Sequence, residues 1–147
     1  MKVSIGVLKG FELELAFHFA TGYSGFEFYP EYSCWRVEKK FGDSGLLAVS
    51  IINDDCGCFT GREFNKDFSD ETILRELRSE NIGLKWDDDS NYVLYFQALP
   101  EITASSPSLM IAFMKVMILK ELGEVLSDDA VESMNLFKTR KKKGKPL

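Results

Sequence analysis

The sequence predicts an α+β fold: a single domain in which an antiparallel sheet of about five to seven strands has one face covered by two helices, followed by a short final helix. Three observations carry this. The first half of the chain spaces its apolar residues at period two between turn residues, and the second half holds two stretches at helical spacing. The length, 147 residues with 45% hydrophobic, suffices to bury one continuous core. No internal repeat or long linker divides residues 1–137, which we read as one domain, and residues 138–147 read as a basic, flexible tail.

The clearest strand is expected over residues 11–19, where Phe11, Leu13, Leu15, Phe17 and Phe19 alternate with Glu12, Glu14, Ala16 and His18. A strand over 3–8 would pair with it through Lys9-Gly10, since glycine reaches the positive φ of a tight hairpin turn. Residues 21–25 read as a loop and 26–29 as a short strand ended by Pro30, which has no N–H to give a ladder. Strands over 33–41 and 46–52 form a hairpin across Gly42-Asp43-Ser44-Gly45. An Asn53-Asp54-Asp55 turn and a short strand over 58–63 follow.

From there the period changes. Ser69 is the expected N-cap of a helix over 70–80: Asp70 and Glu71 suit its positive end, and Ile73, Leu74 and Leu77 share a face. Strands over 84–86 and 92–99 flank an acidic turn, Asp87-Asp88-Asp89-Ser90-Asn91. Ser106 as N-cap and Pro107 at the first helical position open a long helix. Within it Leu109, Met110, Ile111, Ala112, Phe113, Met114, Val116, Met117, Ile118 and Leu119 leave almost no polar face, so it is buried across the sheet or in a homodimer interface. Ser127 caps a last short helix.

Residues 69–126, through the run from Trp86 to Tyr95 and the Pro-spaced helix after it, faintly resemble the helix–hairpin–helix half of the type III secretion chaperone fold. The likeness spans about two fifths of the chain. Those chaperones open with a helix, where this sequence is read as opening with strands. The resemblance implies a chaperone-like binding protein.

Charge narrows the function classes. Residues 138–147 hold six of the 18 Lys/Arg and none of the 23 Asp/Glu, so residues 1–137 carry 12 basic against 23 acidic groups, a net of −11. Such a body repels nucleic acid and anionic membrane and attracts basic proteins, mainly by raising association rate. The longest apolar run, 109–119, is interrupted by Lys115 and falls short of the ~20 residues of a membrane span. Three cysteines, an odd number, and an N-terminal stretch unlike a secretion signal favour a cytoplasmic protein.

Catalytic and metal signatures are weak. Cys56-Gly57-Cys58 with Cys34 and His18 would supply the four ligands of a zinc site only if all converged, and no zinc module has that spacing. A small thiol enzyme pairing a cysteine with His18 is the catalytic alternative, against a histidine that is solvated or paired with a carboxylate on a strand's polar face. Asp54-Asp55 and Asp87-Asp88-Asp89 lack the alternating oxygen ligands, glycine and closing glutamate of a calcium loop, and turns favour Asp and Asn for local hydrogen-bonding reasons. No glycine-rich phosphate loop is present. We therefore expect no cofactor, no metal and no enzyme activity. The expected role is a small acidic binding protein that occupies or inhibits a basic partner, as an immunity protein does to a bacterial toxin domain. Its contact residues are read as Asp54, Asp55, Asp87, Asp88 and Asp89 with the aromatic anchors Tyr23, Tyr29, Tyr32 and Trp86.

Overall fold

Residues 3–8, 10–32, 34–41, 46–53 and 69–134 are described by the structure, a computed structural model. The expected strand over 58–63, Asp54, Asp55, Cys56, Cys58 and the tail at 138–147 lie outside the described residues.

The α+β class and the antiparallel pairing hold, with the strands divided among three small sheets. The largest correction falls at residues 11–19. Phe11–Ala20 is a helix, α1, and not a strand. Period two had placed Glu12, Glu14 and His18 on a wet face, yet all three are buried. A helix enclosed on every side has no need of an amphipathic period, so the alternation did not report local structure. The residue types did: Leu, Glu and Ala are strong helix formers, and Glu12 and Glu14 occupy the first turn, where the helix dipole favours negative charge. Gly10, at φ 56°, serves as the N-cap of α1 in place of the expected hairpin turn. The expected strand over 3–8 shrinks to β1 (Val3–Ser4), followed by a 3-10 turn (Ile5–Val7) in which the Ser4 hydroxyl accepts the Gly6 N–H. The strand-first opening that set the chain apart from the secretion chaperones is therefore mostly helix.

Three strands follow as a meander: β2 (Ser24–Tyr29), β3 (Cys34–Phe41) and β4 (Leu46–Asn53), in the order β2-β3-β4. The Trp35 side chain is fully buried, with the Phe28 and Phe26 rings 5.4 and 6.5 Å from it. Much of the aromatic run is thus core.

The second half is α2 (Asp70–Ser79), then β5 (Ile82–Trp86), β6 (Tyr92–Phe96) and β7 (Leu99–Ser106), then α3 (Leu109–Leu122). Ser69 caps α2 by accepting the Thr72 N–H at 3.2 Å. The single strand expected over 92–99 is two strands turning at Gln97-Ala98. β7 went unread because Pro100 interrupts it and only Ile102 and Thr103 carry a strand signal, followed by the small residues Ala104-Ser105-Ser106. The cap of α3 is Ser108, whose hydroxyl accepts the Ile111 N–H, while Ser106 accepts the Ser108 N–H one step upstream. β8 (Val125–Leu126) pairs with β1, and α4 (Asp128–Ser133) is capped by Ser127.

The core gathers around α3. It packs on β6 and β7, against α1, and beside α2 and the Ile5–Val7 turn. Ala112, Met114, Val116 and Ile118 are fully enclosed, and Leu109, Phe113 and Met117 are buried with them. The burial that the sequence expects of residues 109–119 is met for these seven against elements of the same chain, while Met110, Ile111 and Leu119 are partly buried.

Gly83 shows how tightly the β5-β6-β7 sheet is built. It faces Tyr95 across the ladder, and a Cβ there would overlap the phenol ring. That ring lies over the glycine and under the Lys85 ammonium, 5.4 Å from its centroid. Gly83→Ala must push the ring aside, and overpacking of this kind costs about 1–3 kcal/mol. The expected lowering of the denaturant midpoint should largely vanish when Gly83→Ala is made in a Tyr95→Ala background. Equal losses in both backgrounds would show that the ring is not the obstacle.

Candidate functional site

The best-defined surface feature is the hairpin tip between β5 and β6. Antiparallel pairing places Trp86 opposite Tyr92, and the two rings stack with centroids 4.4 Å apart and planes inclined at 40°. Trp86 is 60% exposed. The reason lies in how far the helices reach: Ile82, Leu84 and Trp86 share the helix-facing side of β5, and their exposure climbs from 5% to 38% to 60% toward the tip. An indole standing out of the sheet, backed by a tyrosine, is the type of side chain that dominates binding energy at interfaces.

The turn beyond it is held by Asp87. Its Oδ1 accepts the backbone N–H groups of Asp89 and Asn91, both at 2.9 Å, and its Oδ2 accepts the Asn91 side-chain amide at 3.0 Å. These bonds, the Asn91 amide first, hold the Asp87 carboxyl below the usual carboxylate range. They also let Ser90 take a φ of 63°. Asp87 is therefore engaged in shaping the turn. Asp88 and Asp89 are exposed, and neither carboxylate has a partner among the described residues. The tip thus joins two uncommitted negative charges to an aromatic anchor. That combination suits a Lys or Arg side chain, which can pair with a carboxylate and lie against an indole face.

The structure brings Trp86, Asp87, Asp88 and Asp89 together and sets the remaining predicted anchors elsewhere. Tyr23 is half-buried, its ring 5.0 Å from that of His18 and 5.8 Å from the Lys39 ammonium. Tyr29, on β2, donates its hydroxyl to Glu27 Oε1 at 2.6 Å, which pushes the phenol pKa up. Tyr32 ends the 3-10 turn Pro30–Tyr32. Leu84 and Tyr92 belong to the tip surface and were missed. Their signal was the register itself, since Leu84, Trp86 and Tyr92 occupy one face only once the pairing is known.

The groups considered for chemistry are placed differently. His18 is buried, donating from Nδ1 to the Glu14 carbonyl at 2.8 Å, and burial pushes its pKa down to about 4. It is not the solvated histidine expected from a strand's polar face. Cys34 is buried in β3. Among the described residues no three His, Cys, Asp or Glu side chains are grouped to hold a metal ion. No described helix is long and apolar enough to cross a membrane. No protein-family model matches the chain, and no curated protein is significantly similar to it in sequence.

Proposed function

We propose that this chain is a non-catalytic protein-binding module that occupies or inhibits a basic partner, in the manner of a cytoplasmic immunity protein that neutralises a toxin domain. One observation carries the reading: a tryptophan 60% exposed and stacked on Tyr92, at the root of a turn that presents Asp88 and Asp89 without partners. The net charge of −11 over residues 1–137 supports it by favouring approach of a basic surface.

The test begins with basic domains encoded beside the gene, each mixed with the purified protein. A one-to-one complex is expected, and Trp86→Ala should weaken it by about 30-fold or more, the scale of an interface hot spot. Asp88→Asn with Asp89→Asn should slow association at low salt and matter little at high salt. Affinity unchanged by Trp86→Ala, together with association rates insensitive to both aspartates, would remove the tip from the interface and the reading with it.

A further inference from the structure

Beyond the tip's side chains, the backbone beside it has a side that no described strand pairs with. β5 bonds to β6 on one edge, and no strand of the described residues pairs with its other edge. The phase of the ladder identifies which groups face out. At the tip the Asp87 N–H donates to the Asn91 carbonyl at 3.2 Å, and at the far end the Gln97 N–H donates to the Asn81 carbonyl at 3.0 Å. Hydrogen-bonded and non-bonded pairs alternate in an antiparallel ladder. Between those two limits, Gly83 and Lys85 bond to Tyr95 and Val93, while Ile82, Leu84 and Trp86 turn their N–H and C=O groups away from β6. The residues with outward backbone groups are the same ones whose side chains form the increasingly exposed apolar row. Leu74 of the neighbouring α2, 47% exposed, adds to the uncovered apolar surface on that helix.

An exposed edge with a hydrophobic row is a template for another strand, and natural proteins usually blunt it. β5 has no proline, no bulge and no inward charge, its one lysine lying on the opposite face under no restraint but the Tyr95 ring. The opposite edge of the sheet differs. β7 carries Pro100, and its Thr103–Ser105 stretch faces Ser4 and Gly6 across a cleft of about 330 Å³ that also holds Lys115 and Glu124.

We propose that the basic partner docks by strand addition: an extended segment of that protein pairs antiparallel with β5, its side chains cover Leu84 and Trp86, and Lys or Arg residues at its start reach Asp88 and Asp89. This inference rests on the basic-partner reading and adds the mode of recognition. Charge selects the occupant, because the edge runs directly into the acidic tip. Backbone bonds at Ile82, Leu84 and Trp86 supply pairing that is independent of sequence, and the row of alternate side chains with the charged end supplies specificity.

The probe is the peptide acetyl-Lys-Arg-Val-Thr-Val-Thr-Val-amide, whose valines would fall opposite Trp86, Leu84 and Ile82. Amide hydrogen exchange on the whole protein, resolved residue by residue, reads the backbone, and Trp86 fluorescence reads the side chain. In the free protein Gly83 and Lys85 amides should exchange slowly and Leu84 and Trp86 amides fast. Saturating peptide should slow Leu84 exchange by about tenfold or more, and a version with proline at its central valine should lose that protection. A Trp86 fluorescence response with the Leu84 amide still exchanging fast would overturn strand addition and leave the basic-partner reading standing. Equal binding by a peptide starting Glu-Glu would overturn the choice of a basic occupant and that reading together. Leu84 protection that grows with protein concentration in the absence of peptide would also overturn the proposal, since a second copy would then own the edge.

Discussion

Phe113→Ala should be among the most destabilising single changes in this protein, with an expected loss of about 3–5 kcal/mol. Phe113 lies in the second turn of α3, 5% exposed, its ring 5.8 Å from that of Phe17 on α1. It therefore joins the two helices that meet in the core. Truncation removes transfer energy and leaves a cavity whose walls are themselves close-packed, Ala112, Met114 and Val116 being fully enclosed. Against a total stability of about 5–15 kcal/mol, this is enough to leave a substantial unfolded fraction at modest denaturant. Chemical denaturation of the wild type, Phe113→Ala and Phe113→Leu checks it. The leucine variant, which keeps most of the volume, should fall between the other two. A midpoint for the alanine variant within error of wild type would place Phe113 outside the core.

That the helix carrying Phe113 could be read from sequence while α1 could not has a physical cause. Both are apolar around most of their circumference, so neither announces itself by an amphipathic period. Residues 109–119 nonetheless exclude a strand by length and by the absence of alternation, and a Ser-Pro-Ser stretch sits in front of them. Residues 11–19 alternate without fault, and the rule that polar residues face water turned that alternation into a strand. The rule fails because Glu12, Glu14 and His18 are buried, and burial of ionisable groups depends on tertiary neighbours. The meander at β2, β3 and β4 and the caps at Ser69 and Ser127 were legible because turn residues and cap hydroxyls act within a few positions.

The candidate site was legible in the same measure. The acidic turn and Trp86 are adjacent in sequence, so their association needed no fold. What could not be read was the division of labour among the three aspartates, with Asp87 bonded into the turn and Asp88 and Asp89 left outward. Nor could it be seen that no strand of the described residues pairs with the outer edge of β5, since that depends on β7 pairing with the other side of β6. Tyr23 and Trp86 illustrate the limit: each is an aromatic beside a turn, and one is packed against the core while the other stands clear of the helices.

Acid should begin to weaken this protein well above the pH at which exposed carboxylates titrate, and His18 is the reason. Its ring is 3% exposed, flanked by the Phe17 and Tyr23 rings at 5.9 and 5.0 Å, and its Nδ1–H is bonded to the Glu14 carbonyl. Burial disfavours the imidazolium and pushes the pKa from 6.5 down to about 4. Above pH 6.5 the histidine is neutral in both folded and unfolded chains and stability is at its full value. As pH falls from 6.5 toward 4, the unfolded chain takes up a proton that the folded chain refuses, so stability declines, and below about 4 the loss is complete. Its size is on the order of 3 kcal/mol. Denaturant midpoints measured from pH 7 to pH 4 on the wild type and on His18→Gln isolate this contribution from the carboxylates. The wild type should lose stability across the window, and the glutamine variant, less stable at pH 7, should decline more shallowly. Parallel curves for the two proteins would mean that His18 takes up its proton at the same pH in the folded and unfolded chains, and that its burial does not oppose the imidazolium.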